Sequence, residues 1–324
     1  MTKIIIDTDM LIDDWMAILY LLNHKNIEVV GISVTGTGGC YLESGSRNAL
    51  ALLKILEVDY KIPVVSGAKQ PLVYSNIYPK KIRDHAKDFM GIKIPKSDAK
   101  LYDKSVEDFY ADIIEATVGG VTILNIGGGT NFGRFVQSKK FNESIRSKIA
   151  NLVIMGGAIN VPGNLADLTD NYSFNQLAEW NVFIDVKAME NIFNSNLPIV
   201  LVPLDACQQV IFDHTFVDEF KAKTSGIVAK YVAQMLEKYF SGSVAYPIFD
   251  PLAACILSNL NTPNIGRLIK QETLMLSINQ NMIVSGDADS SGQTKKDPSG
   301  KKINVCMDVN KERFAELFIS SFSN

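Results

Sequence analysis

Short apolar runs recur along the chain, and most adjoin a segment whose apolar residues fall three and four apart. "KIIID" precedes "DDWMAILYLLNH", and "IEVVGISVTG" precedes "SGSRNALALLKIL". "IPVVSG" follows, then "VTILNIGGG" before "TNFGRFVQ", then "IANLVIMGG". "LPIVLVPLD" comes after the helical "DVKAMENIFNS". Compact apolar runs alternating with helix-period segments predict an α/β fold: a mostly parallel central sheet flanked by helices. In such sheets ligands bind outside the carboxyl ends of the strands. The polar residues expected there are Asp7, Asp9, "TGTGG" at 35–39, "GGGTN" at 127–131, "MGG" at 155–157 and Asp205.

Three further stretches break the alternation. Residues 69–100 are long, polar and irregular, as lids and binding loops often are. Residues 226–259 read as helix, Gly-Ser turn and helix. "SGDADSSGQTKKDPSGKKINVCMDV" reads as a closing hairpin with "KKDPSGKK" at its tip, and "NKERFAELFISSF" as a final helix. No repeat or linker divides the chain, so residues 1–324 are expected to form a single domain.

Composition narrows the partners. The chain is 47% hydrophobic and 21% charged with a net charge of -3, ordinary for a soluble globular protein. No basic block marks a nucleic-acid surface. No apolar run reaches the ~18 residues that span a bilayer, and the N-terminal apolar stretch breaks at Asp7, unlike a signal peptide. Cys40, Cys207, Cys255 and Cys306 lie far apart with no C-x-x-C spacing, so reduced thiols and a cytoplasmic location are expected.

The chemistry concentrates in "IIIDTDMLIDD", Ile4 to Asp14. One pair of carboxylates ~4 Å apart at an effective dielectric near 20 costs ~4 kcal/mol. Asp7 and Asp9 fall on the same side of a strand, and Asp13 and Asp14 begin the next helix. A helix N-terminus offsets only ~0.3–1 kcal/mol per charge. A hard divalent cation, calcium or magnesium, is the fitting partner for the remainder. The alternative is that Asp13 caps the helix and Asp7 bonds nearby backbone. A carboxylate beside such an ion can act as general base in a hydrolysis.

"IIIDTDMLIDDWMAIL" resembles the N-terminal signature DxDPGxDDxxAL of the inosine-uridine-preferring nucleoside hydrolases. "SRNALALLKIL", "GGGTNFG", "VIMGGAINVPGN", "AEWNVFID", "VPLDACQQV" and "FDPLAACIL" continue the resemblance in order along the chain. It implies a Rossmann-like nucleoside hydrolase fold and cleavage of the N-glycosidic bond of ribonucleosides, in purine and pyrimidine salvage, by a calcium-activated water. The implied calcium ligands are Asp9, Asp14, the Thr130 carbonyl and Asp250, with Asp9 also the general base. The implied substrate contacts are Asp13, Asn164, Glu179 and Asn181, with Asp7 supporting the cluster. A homodimer or homotetramer is expected by the same resemblance.

The sequence departs from that pattern at several places. Met10-Leu11 stand where Pro-Gly is usual, and Gly38-Gly39 where an Asn often contacts the sugar. Phe249 replaces a His that could protonate the departing base, a service worth ~10²–10⁴-fold in rate; its ring could stack on the base instead. His85, in "HAKDFMG", matches a loop His expected at the 5′ side of the sugar, whereas His24 reads as a helix end and His214 as a helix start. Trp180, Tyr239, Phe240 and Tyr246 could wall the pocket or pack in the core. Two rivals stand beside this reading. "IIIDTDML" also resembles the first motif of haloacid-dehalogenase-type phosphohydrolases, and an altered site could bind a ribosyl ligand without cleaving it.

Overall fold

The computed structural model describes residues 1–169, 172, 174–242, 245–280 and 289–323. Its strands are β1 (Thr2–Thr8), β2 (Ile27–Val34), β3 (Val64–Ser66), β4 (Val121–Asn125), β5 (Ile149–Met155), β6 (Ile199–Val202), β7 (Ile211–Phe212), β8 (Tyr246–Pro247), β9 (Ile269–Ile278), β10 (Thr294–Lys296) and β11 (Lys301–Val309). Nine of them form one sheet in the order β10-β9-β11-β6-β5-β4-β1-β2-β3, and β7 pairs with β8 separately. The pairs from β3 to β11 are parallel, and β9 runs antiparallel to both β10 and β11. The sheet is mostly parallel, as the alternating pattern predicts.

The chain builds outward from β1 to β2 and β3, then returns to lay β4 against the other side of β1. Strand order therefore reverses between β1 and β4, and a crevice opens at their carboxyl ends. Asp7 pairs in register with Asn125 and Ser33 there.

The isoleucines of β1 show why the sheet is covered on both faces. Ile4 and Ile6 join the core that includes Trp15, Met16 and Leu19 of α1 (Ile12–Asn23). Ile5 joins the opposite core with Phe109 and Tyr110 of α4 and Phe132 of α5. Between α1 and these come α2 (Leu42–Ile55) and α3 (Lys80–Ala86); α4 spans Val106–Ala116 and α5 Thr130–Phe135. All three isoleucines are fully buried; each contributes roughly 1.5–3 kcal/mol of transfer free energy.

One local expectation is corrected. "KKDPSGKK" is no hairpin tip: Lys296 and Lys301 both pair with Leu276, one on each edge of β9. The Asp297–Gly300 turn thus carries the chain across β9, and a Cβ on Gly300 would lie 2.3 Å from the Leu276 carbonyl oxygen. The front of the expected closing hairpin, residues 281–288, lies outside the described residues. His24 caps the end of α1 and His214 opens the helix His214–Lys223, as the sequence suggests. The four cysteines are buried free thiols. Among the described residues no helix is long and apolar enough to cross a membrane.

Candidate active site

A cavity of about 430 Å³ opens at the β1/β4 crevice. Asp9, Asp13, Asp14, Asn164, Glu179, Asn181, Phe249 and Asp250 all line it. The sequence spreads them over four distant segments, and the strand reversal gathers them.

Asp14 is the hub of the acids. Its carboxylate accepts from the Thr8 hydroxyl, from the Asp9 amide at 3.2 Å and from the Leu11 amide at 2.9 Å. It therefore caps its own helix from inside, because Leu11 at the cap position has no polar side chain. Carboxylate oxygens of Asp13, Asp14 and Asp250 come within 4.8 Å of one another. Asp14 also lies within side-chain hydrogen-bonding reach of Asp9 and Asp250. Asp250 reaches the cluster from the first turn of the helix Asp250–Asn259, where Pro251 starts the helix without wasting an amide.

Burial pushes all four acids above the usual carboxylate range, and their mutual repulsion adds to it for Asp13, Asp14 and Asp250. Asp13 is raised to about 7, while Asp14 and Asp250 rise well above their ordinary value. Asp9 is raised by burial, opposed by the amides of Gly39 and Leu11 and by the charge of Arg83. Behind them Asp7 is fully buried and raised by that burial to about 6. It accepts from Ser33 Oγ at 2.8 Å, Asn131 Nδ2 at 3.0 Å and the Phe132 amide at 3.3 Å. Tyr110 supports Ser33 from the far side at 2.7 Å.

The donor set fits a hard divalent cation. Three buried, mutually repelling carboxylates come within 4.8 Å of one another with Asp9 beside them, and oxygen-only ligation is what such an ion takes. The expected partition among them is altered in two respects. Asp13, expected on the sugar, stands within the compact trio, while Asp9 is turned toward the 38–39 loop. Thr130, expected to offer its carbonyl, does not line the cavity; Ile126, at the end of β4, does. The turn Gly127–Gly129 separates them. Gly129 takes φ +67 and starts α5, which aims the Thr130 carbonyl along a helix axis. The Thr130 hydroxyl meets Thr37 instead, at 3.2 Å.

The sugar-side residues are fixed by backbone. Glu179 accepts from Asn181 N at 2.9 Å, Gly157 N at 3.0 Å and Val182 N at 3.2 Å, and burial raises it to about 7. Asn164 accepts from Trp180 N at 3.1 Å, and Asn181 donates to the Met155 carbonyl at 3.2 Å. Trp180, Tyr239 and Tyr246 line the cavity, whereas Phe240 is fully buried in the core.

His85 is exposed on α3 and does not line the cavity. Ala86 is buried and Ile82, four residues before it, reaches the cavity; this face of α3 leaves His85 outside. Arg83 of the same helix stacks on Tyr41 at 4.4 Å and donates to the carbonyls of Gly36 at 2.6 Å and Cys40 at 3.3 Å. It thereby pins the loop that cradles Asp9. Tyr78, Ile82 and Met90 of the polar 69–100 stretch also wall the cavity. Sequence reasoning missed them; the one signal was that an irregular stretch contained isolated apolar and aromatic residues.

Met10-Leu11 and Gly38-Gly39 prove to be one feature. Met10 adopts φ +62, left-handed backbone that costs a non-glycine residue roughly 1–2 kcal/mol, while its side chain is fully buried. A Cβ on Gly38 would lie 1.8 Å from Asp9 Oδ2, and one on Gly39 2.7 Å from the Leu11 Cβ. Side chains at 11 and 39 exclude each other. Gly39→Asn alone is expected to lose ~1–3 kcal/mol by overpacking, and Leu11→Gly in the same chain to recover part of it. Urea denaturation of the two single variants and the double variant checks this: additive losses would mean the positions do not compete.

A family model described as inosine-uridine preferring nucleoside hydrolase matches residues 4–316. Probable uridine nucleosidase 2 of Arabidopsis thaliana is 31% identical over 242 residues, spanning 74% of this chain and 70% of that one. The pyrimidine-specific ribonucleoside hydrolase RihA of Salmonella typhimurium is 28% identical over 269 residues, 81% of this chain and 80% of that one. Among solved structures, the inosine-uridine preferring nucleoside hydrolase from Bacillus anthracis superposes with a TM-score of 0.81 at 23% identity, covering 100% of this chain and 99% of that one. A purine-preferring ribonucleoside hydrolase from Gardnerella vaginalis gives 0.80 at 23% identity, covering 99% and 98%. At such identity these two likenesses speak for the fold.

Proposed function

Because the chain belongs to the inosine-uridine preferring nucleoside hydrolase family, whose members are hydrolases acting on N-glycosyl compounds, we propose that it splits ribonucleosides into ribose and free base with calcium as its cofactor. The observation that carries this reading is the convergence of four buried carboxylates from two distant segments on one cavity at the strand reversal. Asp14 and Asp250 would hold the ion, with Asp9, Asp13 and the Ile126 backbone carbonyl as the further oxygens available at the cavity. When bound, the ion would make a water more acidic and neutralise the cluster. A cluster this rich in carboxylate oxygens suits calcium, which accepts a larger and less regular set of oxygens, better than magnesium, which keeps most of its waters and demands a tight octahedron.

The chain's own groups do the rest. Asp9 takes a proton from the attacking water, held in place by the Gly39 and Leu11 amides. Glu179, Asn164 and Asn181 orient the sugar through its hydroxyls. Phe249, Tyr246 and Tyr239 enclose the base and exclude water from it. The phosphohydrolase rival loses ground on the same geometry. Asp7, the nucleophile of a phosphohydrolase reading, is fully buried behind the cavity and engaged by three donors. Ribose release from uridine in the presence of calcium tests the proposal; binding of a broad panel of ribosides without cleavage would favour the binding-protein alternative.

Phe249 carries a second expectation. It cannot protonate a departing base, and a purine offers a ring nitrogen, N7, for that proton where uracil offers none, so purine nucleosides should lose most by its presence. We expect kcat/KM for uridine to exceed that for inosine by at least about tenfold, the lower part of what a general acid supplies. Equal steady-state values for the two would contradict it.

A further inference from the structure

With Phe249 unable to donate, the cavity's other hydrogen-bond donors become informative. Tyr239 is already committed: its hydroxyl donates to the Pro247 carbonyl at 2.7 Å. Tyr78 and Tyr246 are different. Both line the cavity, and neither hydroxyl has a hydrogen-bond partner among the described residues. Tyr78 packs on Trp180 at 4.7 Å, and the groups that act on it electrostatically are Asp9, Asp13, Glu179 and the neighbouring Tyr246. It belongs to the sugar side. Tyr246 stands edge-on to Phe249 at 5.8 Å and to Tyr239 at 5.4 Å, and feels Asp13 and Asp167 at the rim. It belongs to the base side. Its backbone is anchored by the β7–β8 pairing, Phe212 opposite Tyr246, so the ring stands on a fixed support.

We propose that the Tyr246 hydroxyl donates a hydrogen bond to the departing base, and that it selects bases with a carbonyl oxygen beside the departing ring nitrogen, as in pyrimidin-2-ones. The inference rests on the N-ribohydrolase reading above. In the step, the bond between C1′ and the ring nitrogen breaks and its electron pair goes to the base. The water oxygen bonds to C1′, and its proton goes to Asp9. The negative charge spreads from nitrogen to the adjacent carbonyl oxygen, where the phenol O–H stabilises it. The phenol keeps its proton, and the base takes one from solvent after it has left. Burial raises the Tyr246 phenol to about 12, so it remains a donor across the working pH range.

The test is Tyr246→Phe in the calcium-loaded full chain, assayed with uridine and with p-nitrophenyl riboside, whose leaving group departs as a stabilised anion without help. The expected loss in kcat is about 10²-fold for uridine, the low end for an assisting donor, and at least about thirtyfold smaller for the p-nitrophenyl riboside. Similar losses on both substrates, or none on uridine, would overturn the proposal, since a merely structural role does not discriminate leaving groups. Tyr78→Phe is the control, expected to affect both substrates alike. If the unaltered protein cleaves neither compound, the N-ribohydrolase reading itself fails, and that failure is distinguishable from a wrong donor.

Discussion

Asp9→Asn is expected to lower kcat for uridine by at least about 10²-fold, and by up to about 10⁴-fold, while the protein still binds calcium. The range is what a positioned general base contributes, about 3–5 kcal/mol of barrier. The substitution is chosen for its geometry. Asparagine keeps the shape of aspartate, and its oxygen can still accept from the Gly39 and Leu11 amides that hold Asp9. What it loses is basicity. Some calcium affinity should go too, because a charge beside the ion is removed. Asp14 and Asp250 remain, so the loss should be smaller than at either of those positions. Steady-state assays at saturating calcium, with calorimetric titration of the same sample, separate the two effects. Turnover within a few-fold of the parent would place the base elsewhere in the cavity.

Asp250→Ala should abolish activity by a different route, through loss of the ion. Asp250 closes the compact trio with Asp13 and Asp14, and it is the member supplied by a remote helix. Without it the remaining acids keep their burial and lose a ligand. The readout is thermal stability as well as binding. An ion at a hundred times its Kd stabilises the native state by about 2.7 kcal/mol, worth several degrees in Tm for a chain of this size. The parent should show that rise with calcium, and Asp250→Ala should not. The sign of its pH dependence follows from the raised acids. A carboxyl such as Asp13, at about 7 in the fold against an ordinary value of 3.8, holds its proton more tightly folded than unfolded. The ion-free protein therefore loses stability as pH rises from about 4 through about 7. The ion binds the deprotonated cluster, so protons compete with it at low pH. The calcium-dependent rise in Tm should be larger at pH 8 than at pH 5; the reverse order would argue against carboxylate ligation.

Much of this site is legible in the sequence because regular elements carry it. Strand period brings Asp7 to the carboxyl end of β1, and the helix that follows begins with Asp13 and Asp14. The same period places Asp9 on Asp7's side, but β1 ends at Thr8, and Asp9 lines the cavity while Asp7 is buried behind it on Ser33, Asn131 and Phe132. "AEWN" and "FDP" contribute from the starts of two further helices. What stays illegible depends on rotamers and on irregular backbone. The sequence shows three glycines before Thr130 but not that Gly129 turns left-handed, and it is Ile126, before that turn, that lines the cavity. It shows two acids in a row but not that Asp9 is turned toward the 38–39 loop. Tyr78, Ile82 and Met90 come from a stretch without periodicity, where no face can be assigned beforehand. His85 matches a motif, yet Ile82 and Ala86 take the inward positions of α3.

The mutual exclusion of side chains at 11 and 39 bears on how such a pocket wall can evolve. A lineage exchanging the Leu11/Gly39 pair for a glycine and an asparagine cannot move one step at a time without either a collision or a vacant space. Gly39→Asn taken first is expected to cost stability that Leu11→Gly then partly restores, which is sign epistasis. Directed evolution by single substitutions that takes position 39 first should stall there, and libraries varying both codons together should not.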